Sequence, residues 1–550
     1  MALKPFYRRA YDEILETLLS DGSAVFVAPT GYGKSKGTPY LKKRLEEEWN
    51  LPRTVHVFPL RSLVQSQMNY LRTVGLEPCH ASGLPVEGKC PYMSGEFVTA
   101  TIDYFSLTIN RLPPPELPFV LRKWSYGHYE YPRANLFTSL ILLDEVHLIG
   151  ETWEREESRS REFLFASLET MNEFKVPFVV ATATLPSKFL KKVMRKTGRA
   201  VVVCNNCYEK LGNKVVRFRD SDYYHSQLSI KWRTELVSDP IGKYVKENVE
   251  SLLDEAYRGK LLVVSNTVNK AFEIYQILSK RLNPKDVVLV HGRLSSNDKA
   301  NAVTKIESAR VVISTQVIEA GVDVDATTLV TEVAPPSSLA QRAGRLCRLR
   351  MCDEAKVIIT NAKQPYPYEQ ATLNESMEFI RSALELNSIQ WRLLDNEGGI
   401  SYLNLIEKVE GSVFSSSQYR SLFELLMQKP FPNVEDILET LKNYCSFVRD
   451  TNLISIEVDD NDFVETSLSW FLANLHVFAR DGKLLVTFHR GDDREAKWVD
   501  VKEFENSVKG NECRGYYEFL RKNNALFATF HGEDLYVKGI GLGVGQWYGQ

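Results

Sequence analysis

A chain of 550 residues is longer than one hydrophobic core sustains, so it predicts two to four domains. Its 44% hydrophobic and 25% charged residues give the profile of a soluble globular protein and exclude a disordered chain. Lys plus Arg total 68 against 70 Asp plus Glu, so the net charge of −2 leaves a nucleic-acid partner open but requires any phosphate-binding surface to be a local patch or groove.

The N-terminus has no apolar core followed by a small-residue cleavage site, so no signal peptide is expected. The apolar run Leu136–Leu143 is far too short to span a bilayer. A cytoplasmic location with no membrane partner follows as the expectation. Eight cysteines over this length do not suggest a disulfide scaffold.

In chain order, residues 6–20 predict an amphipathic helix and apolar 23–28 a buried strand. A Gly-rich turn and a Lys/Glu-rich helix to Trp49 follow, then a strand at 54–58 and a helix at 60–72. Further strands are predicted at 97–100, 140–143 and 178–181, with helices between them. The stretch 206–240 reads as polar and irregular and contains a domain junction. A second series follows, with strands at 261–265, 287–290, 311–314 and 355–359. Such alternation predicts an α/β fold whose parallel sheets are covered on both faces. Beyond Tyr366 it fades into a mixed, aromatic-rich region without a chemical motif. The expected domains are 1–225, 226–365 and 366–550.

The segment Ala28-Pro-Thr30-Gly31-Tyr32-Gly33-Lys34-Ser35 lies between a predicted strand and a predicted helix. Glycines there let backbone N–H groups wrap phosphates, and the helix N-terminus adds positive potential. Lys34 is expected to reach the outer phosphates of ATP and Ser35 to bind Mg2+. The strict pattern has Gly where this chain has Ala28. Asp144-Glu145-Val146-His147 follows an apolar strand. Asp144 at the strand end suits Mg2+, and Glu145 suits polarising the attacking water. Gln341-Arg342-Ala343-Gly344-Arg345-Leu346-Cys347-Arg348 lies in the second series. Arg345 and Arg348, three apart, share a helix face and predict two arginine fingers, with Gln341 beside them. Taken singly, these segments also fit a Gly-turn, an acidic strand end and a solvated basic helix. Their order is more specific than any one of them.

This order resembles the superfamily-two helicases of the DExH style over about residues 6–360. The resemblance implies two tandem RecA-like parallel-sheet lobes plus a mixed C-terminal accessory domain. It also implies further motifs. Phe58–Gln67, with Arg61 and Ser62, is similar to motif Ia, and Ala100–Asp103, with Thr101, to motif Ib. Thr182-Ala183-Thr184 is similar to motif III, which couples ATP to nucleic acid, and His147 is expected to bridge to it. Val264–Thr267 is similar to motif IV, His291-Gly292-Arg293 to the segment after it, and Ile313–Asp325 to motif V. Nucleic-acid contacts are thereby implied for Arg61, Ser62, Thr101, Thr267, His291, Arg293, Thr315 and Gln316, and nucleotide contacts for Gly321 and Asp323. The wording DEVH, Ala-Thr-Ala-Thr-Leu-Pro at 181–186, TQVIEAGVDVD and LAQRAGRLCR resembles the helicase part of the type I CRISPR-associated signature helicase–nuclease.

That resemblance implies ATP-driven, 3′-to-5′ movement on single-stranded DNA and an RNA-guided surveillance complex as partner. The chain departs from the family in two ways. Tyr7 stands where a glutamine usually reads adenine, which puts selectivity for ATP in doubt. Only 33 residues precede Lys34, and His-Asp occurs nowhere, so the split form with a separate HD-type nuclease subunit is expected. The alternatives are a DExH RNA helicase or an ATP-gated clamp.

Cys204 and Cys207 have metal-pair spacing, with Cys79, His80 and Cys90 as the other candidates, but free or locally bridged thiols fit better than zinc. Trp470, Phe471 and Trp498 suit base stacking or, more simply, core packing.

Overall fold

The computed structural model describes residues 6–544 apart from 84–86, 118, 120–126, 149–158, 349–351, most of 411–445, 450–451 and 491–492. Eight strands form the first sheet: β1 (Ser23–Val27), β2 (Arg53–Phe58), β3 (Pro78–Ala81), β4 (Phe97–Thr101), β5 (Ser139–Leu143), β6 (Phe178–Thr182), β7 (Ala200–Val202) and β8 (Val215–Arg217). All pair in parallel in the order β3-β4-β2-β5-β6-β1-β7-β8. Every residue of β1, β4, β5 and β6 is buried. Helices on both faces account for the continuous apolar runs in the sequence. Full burial of each Val or Leu there contributes about 1.5–3 kcal/mol.

The second sheet has six strands: β9 (Lys231–Pro240), β10 (Leu261–Val264), β11 (Val287–Val290), β12 (Val311–Ser314), β13 (Thr328–Glu332) and β14 (Glu354–Asn361). They too are parallel, in the order β11-β12-β10-β13-β14-β9. The stretch 206–240 passes from the first sheet to the second but is not the irregular segment that its polarity suggests. It holds β8, a helix at Ser221–Leu228 and β9, the longest strand of this sheet. β9 is an edge strand paired on one side with β14, and most of its residues are partly exposed, so its composition reads as loop.

Past β14, the helix Gln370–Leu386 leads to a two-stranded pair, β15 (Ile389–Gln390) and β16 (Ile400–Ser401), and the helix Tyr402–Val409. A third, mixed sheet follows, from β17 (Leu453–Asp459), β18 (Asp462–Ser467), β19 (Lys483–His489), β20 (Arg494–Asp500) and β21 (Phe527–His531), ordered β18-β17-β21-β19-β20. Phe471, Phe488, Phe504 and Phe530 make its core. Of the aromatics singled out, Phe471 is core, Trp470 is partly buried and Trp498 is exposed. No helix among the described residues is long and apolar enough to cross a membrane.

The cysteines considered for zinc take the locally bridged form. Cys79–Cys90, Cys204–Cys207 and Cys347–Cys352 are disulfides with Cα separations of 5.6, 6.0 and 5.6 Å. Each pair is close in sequence, so the bridges are local clips that residue counting against chain length does not reveal. They also occupy the thiols considered for zinc, and His80 turns instead to Ser82, 2.9 Å away.

Candidate nucleotide cleft and nucleic-acid face

β1, β6 and β5 lie side by side, and the phosphate-loop, Thr182–Thr184 and DEVH segments leave their C-terminal ends. That edge is where α/β sheets collect ligands. The loop turns on Gly31 and Gly33, at φ 83° and 103°, which side chains other than glycine rarely adopt. Tyr11 Oη donates to Gly33 O at 2.5 Å and steadies the turn from the first helix.

Lys34 is buried, donates to Ala28 O at 3.2 Å and lies 3.7 Å from Glu145. Ser35 Oγ donates to Asp144 Oδ2 at 2.5 Å. Asp144 is fully buried. Burial pushes its carboxyl up, but the hydrogen bond and charge of His56, with Lys34, outweigh that and hold it below its usual range. His56 Nε2 stands 3.2 Å from Asp144 Oδ2, and Thr38 Oγ1 contacts Nδ1 at 3.0 Å. His56 was not expected in the site: strand periodicity marks it as inward-facing but cannot say what it meets.

Glu145 has φ 48°. A non-glycine residue there stores on the order of 1–3 kcal/mol of strain and aims its side chain away from the ordinary strand direction. His147 Nδ1 is 3.3 Å from Glu145 Oε2 and 3.1 Å from Thr182 Oγ1, which also accepts from Thr184 N at 3.2 Å. Burial lowers the basicity of His147, so the neutral imidazole links the acidic box to β6.

The second lobe meets this edge through the helix Pro336–Ala343 and the residues after it. Thr30 Oγ1 donates to Gln341 Oε1 at 3.2 Å, which joins the phosphate loop to the arginine segment. Arg345 is buried and donates to Glu319 O. Burial lowers its pKa to about 9, with Arg348 adding repulsion and Asp323 and Glu145 acting against it. Arg348 pairs with Asp323 at 2.6 Å. Gln341 Nε2, Arg345 Nε and Glu145 Oε2 are buried without a hydrogen-bond partner among the described residues. Buried polar atoms are rarely left so. Gln341 Nε2 and Arg345 Nε are donors that a phosphate-bearing ligand fits, Glu145 Oε2 is an acceptor suited to a water, and the Ser35–Asp144 oxygens are hard ligands of the kind Mg2+ takes together with phosphates.

Arg342, quoted in the motif but given no role, is a structural pin. Its guanidinium contacts Glu319 Oε1 and Thr331 Oγ1, both at 2.8 Å, Tyr368 Oη at 3.1 Å, and Asn266 Oδ1 and Glu332 O, both at 3.2 Å.

Gly321 lies against motif Ia rather than in the phosphate loop: a Cβ on it would stand 1.9 Å from Ser62 Oγ. The residues expected to touch nucleic acid take several positions. Thr101 and Thr267 cap the helices Ile102–Ile109 and Val268–Ser279 by accepting from Tyr104 N and Lys270 N, both at 3.4 Å. Gln316 Nε2 donates to Asn266 O at 2.8 Å, and Thr315 is buried at the end of β12. Arg61 pairs with Glu465 at 2.6 Å, and Asp103, beside Thr101, pairs with Arg449 at 2.7 Å. His291 is buried with Nε2 at 2.8 Å from Ile540 O, and burial lowers its pKa to about 4. Arg293 places its guanidinium 4.8 Å from the Trp470 ring centre. The C-terminal region therefore lies along the face on which Arg61, His291 and Arg293 sit.

Tyr7, ahead of the first helix, is exposed. Its hydroxyl donates to Asp12, and its ring meets Tyr40 edge-on at 5.2 Å. Phe6 crosses Gly33, and Arg8 lies 5.1 Å from the Tyr32 ring centre and 3.5 Å from Asp220. With no amide presented to a base edge at Tyr7, ATP is expected to be preferred over GTP by less than about tenfold in a competition assay. A preference of a hundredfold or more would assign base reading to the Arg8–Asp220 pair.

A DEAD/DEAH box helicase model matches residues 8–193, and the C-terminal model of the CRISPR-associated nuclease/helicase Cas3 matches 257–351. The CRISPR-associated helicase Cas3 of Thermoproteus tenax is 27% identical over 397 residues, covering 68% of this chain and 61% of that protein. The CRISPR-associated nuclease/helicase Cas3 of Methanothermobacter thermautotrophicus is 30% identical over 351 residues, covering 60% of this chain but 39% of that protein. The crystal structure of T. fusca Cas3 with AMPPNP superposes with a TM-score of 0.56 at 14% identity, over 82% of this chain and 59% of that one, which is a likeness of fold. With a DEAD/DEAH box helicase domain and a Cas3-like C-terminal domain matched in order, and two parallel-sheet lobes facing each other, the chain is similar to the helicases of the CRISPR-associated Cas3 group, and it spans 61% and 39% of the length of the Thermoproteus and Methanothermobacter relatives.

Proposed function

We propose that the chain is a nucleic-acid-stimulated ATPase that moves 3′-to-5′ on single-stranded DNA. In this reading it serves CRISPR interference in the cytoplasm, with an RNA-guided surveillance complex and a separate HD-type nuclease subunit as partners. The observation that carries the motor reading is the Thr30–Gln341 contact. It sets Lys34, Asp144 and Glu145 of one lobe opposite Arg345 and Arg348 of the other. The CRISPR association rests on the names of the relatives, one of which is described as a helicase alone.

Thr30, Gly31, Tyr32 and Gly33 wrap the phosphates, and Lys34 leaves the Ala28 carbonyl to meet their charge. Ser35 and Asp144 would hold Mg2+, which would supply charge neutralisation at the phosphates. Glu145 orients and polarises the attacking water, and Arg345 and Arg348 stabilise the charge that develops on transfer. Loss of the γ-phosphate removes the group both lobes share, so they part. Thr182 and His147 carry that change from Glu145 to the Thr182–Thr184 segment. Backbone-directed contacts suit the nucleic-acid face because a motor must not read sequence.

The test uses end-labelled DNA and RNA of equal length. ATP turnover should rise with single-stranded DNA more than with RNA, and a duplex with a 3′ overhang should be unwound in preference to one with a 5′ overhang. The chain alone should cut neither strand in Mn2+, Ni2+ or Co2+. Stimulation by RNA alone would favour the RNA-helicase reading. Turnover without strand displacement or translocation would favour a clamp. Cutting that survives repurification would overturn the separate nuclease.

A further inference from the structure

Arg392 lies outside both helicase lobes, in the connection between β15 and β16, and is 2% exposed. Its guanidinium reaches three parts of the motor at once. Nη2 donates to Gly344 O at 3.2 Å and to Leu346 O, both within the arginine segment. Nη1 donates to Gln227 Oε1 at 3.4 Å, in the helix Ser221–Leu228 between the two sheets. The same Nη1 stands 3.2 Å from where a Cβ on Gly31 would lie, so the guanidinium rests directly against the phosphate loop. Arg348 approaches the same point, with its Cγ at 3.9 Å.

A guanidinium has five N–H donors. Three hydrogen bonds are made here, one of them long, and Nε is buried without a partner among the described residues. Burial lowers the basicity of Arg392, Tyr223 acts against that, and the charge of Arg348 adds to it. A buried cation with idle donors beside two other arginines is costly unless an anion joins it. The loop that Arg392 touches is the one built for phosphates.

We propose that Arg392 is a third arginine of the nucleotide cleft, engaging the phosphates of ATP beside Arg345 and Arg348 and making the C-terminal region a reader of nucleotide state. The inference rests on the ATPase reading above. The chain after Arg392 has the contacts to pass such a signal on. Tyr402 Oη donates to Ala183 O at 3.0 Å, Ser187 Oγ donates to Glu407 at 2.5 Å, and Ser337 N donates to Glu410 at 2.8 Å. The helix Tyr402–Val409, with Glu410 at its end, thus binds the Thr182–Thr184 segment on one side and, on the other, the start of the helix Pro336–Ala343 that leads to Arg345 and Arg348.

The test compares the full chain with Arg392→Gln, Arg392→Lys and Lys34→Ala. AMP-PNP and ADP affinities are measured by calorimetry, kcat and KM with saturating single-stranded DNA, and folding by thermal melting. Arg392→Gln should weaken AMP-PNP about tenfold while changing ADP less than about twofold, since the loss falls on the γ-phosphate. Its kcat should fall about 10- to 100-fold, less than for a full arginine finger. Arg392→Lys keeps the charge but not the fork, and should lose about threefold in the AMP-PNP to ADP ratio. If the glutamine variant does not fold, the lysine variant decides by that ratio. A lowered melting temperature with an unchanged ratio and kcat would make Arg392 a structural pin and overturn the proposal. Failure of the unaltered chain to bind either nucleotide would instead overturn the ATPase reading.

Discussion

Replacing Lys34 with alanine or Glu145 with glutamine is expected to reduce ATP turnover by about a thousandfold or more, because each removes a charge aimed at the reacting phosphate or water. Both side chains line a polar cleft and neither is packed in the apolar core, so thermal melting should change little. Lys34 makes one hydrogen bond, to Ala28 O, and a loose 3.7 Å contact with Glu145. Glu145→Gln keeps the shape that fills the space between Lys34 and His147. Arg345→Ala provides the contrast. A finger acts on the transition state, so this variant should still bind nucleotide while turnover falls by about a thousandfold. Measured with saturating single-stranded DNA, turnover within tenfold of the unaltered chain in Lys34→Ala or Glu145→Gln would overturn the assignment of the cleft. Equal loss of binding and turnover in Arg345→Ala would make that arginine a ground-state clamp.

The second large effect concerns stability. Arg342 is fully buried, and burial works against its charge, but Tyr368, Glu319 and Glu332 together raise its pKa. Glu319 is also buried. Burial lifts its carboxyl above the ordinary range, with Arg342 the largest force opposing that. Arg342→Met removes the partner and leaves the carboxylate alone, at a cost of about 3–5 kcal/mol. A carboxyl with a raised folded-state pKa holds its proton where the unfolded chain has released it, so the folded state is favoured at low pH and loses stability as pH rises through the folded value. The variant should therefore be nearer to the unaltered chain in stability at pH 5 than at pH 8. Arg342→Met combined with Glu319→Leu should recover most of the loss, as replacing a whole buried pair often does. Denaturant melts decide it: a loss below about 1 kcal/mol with no pH dependence would place this pair among ordinary surface contacts.

The parts of the molecule legible in the sequence are those in which one local pattern fixes one local outcome. β1, β5, β10, β11 and β12 are short apolar runs between turn signals, and they fold as buried parallel strands because helices cover both faces. The phosphate loop is legible for a similar reason: Gly31 and Gly33 sit at backbone angles that demand glycine. β9 escaped because an edge strand has one paired side, and its exposed positions carry the polar residues of a loop. The third sheet escaped because its β17–β18 and β19–β20 pairs have no chemistry to mark them.

Sequence alone determined the chemical inventory: a lysine and serine on a glycine turn, an acidic pair after an apolar strand, and arginines three apart. Those identities are local, and their reactivity follows from side-chain type. Tertiary structure decided which groups meet. It brought His56 to Asp144 across neighbouring strands, gave Arg342 rather than Arg345 the buried glutamate, and folded Thr101 and Thr267 into helix caps. It also returned Arg392 to Gly31 across 361 residues of chain (392 less 31). No spacing rule reaches that far, because contact at such separation depends on how whole sheets pack and not on the residues between.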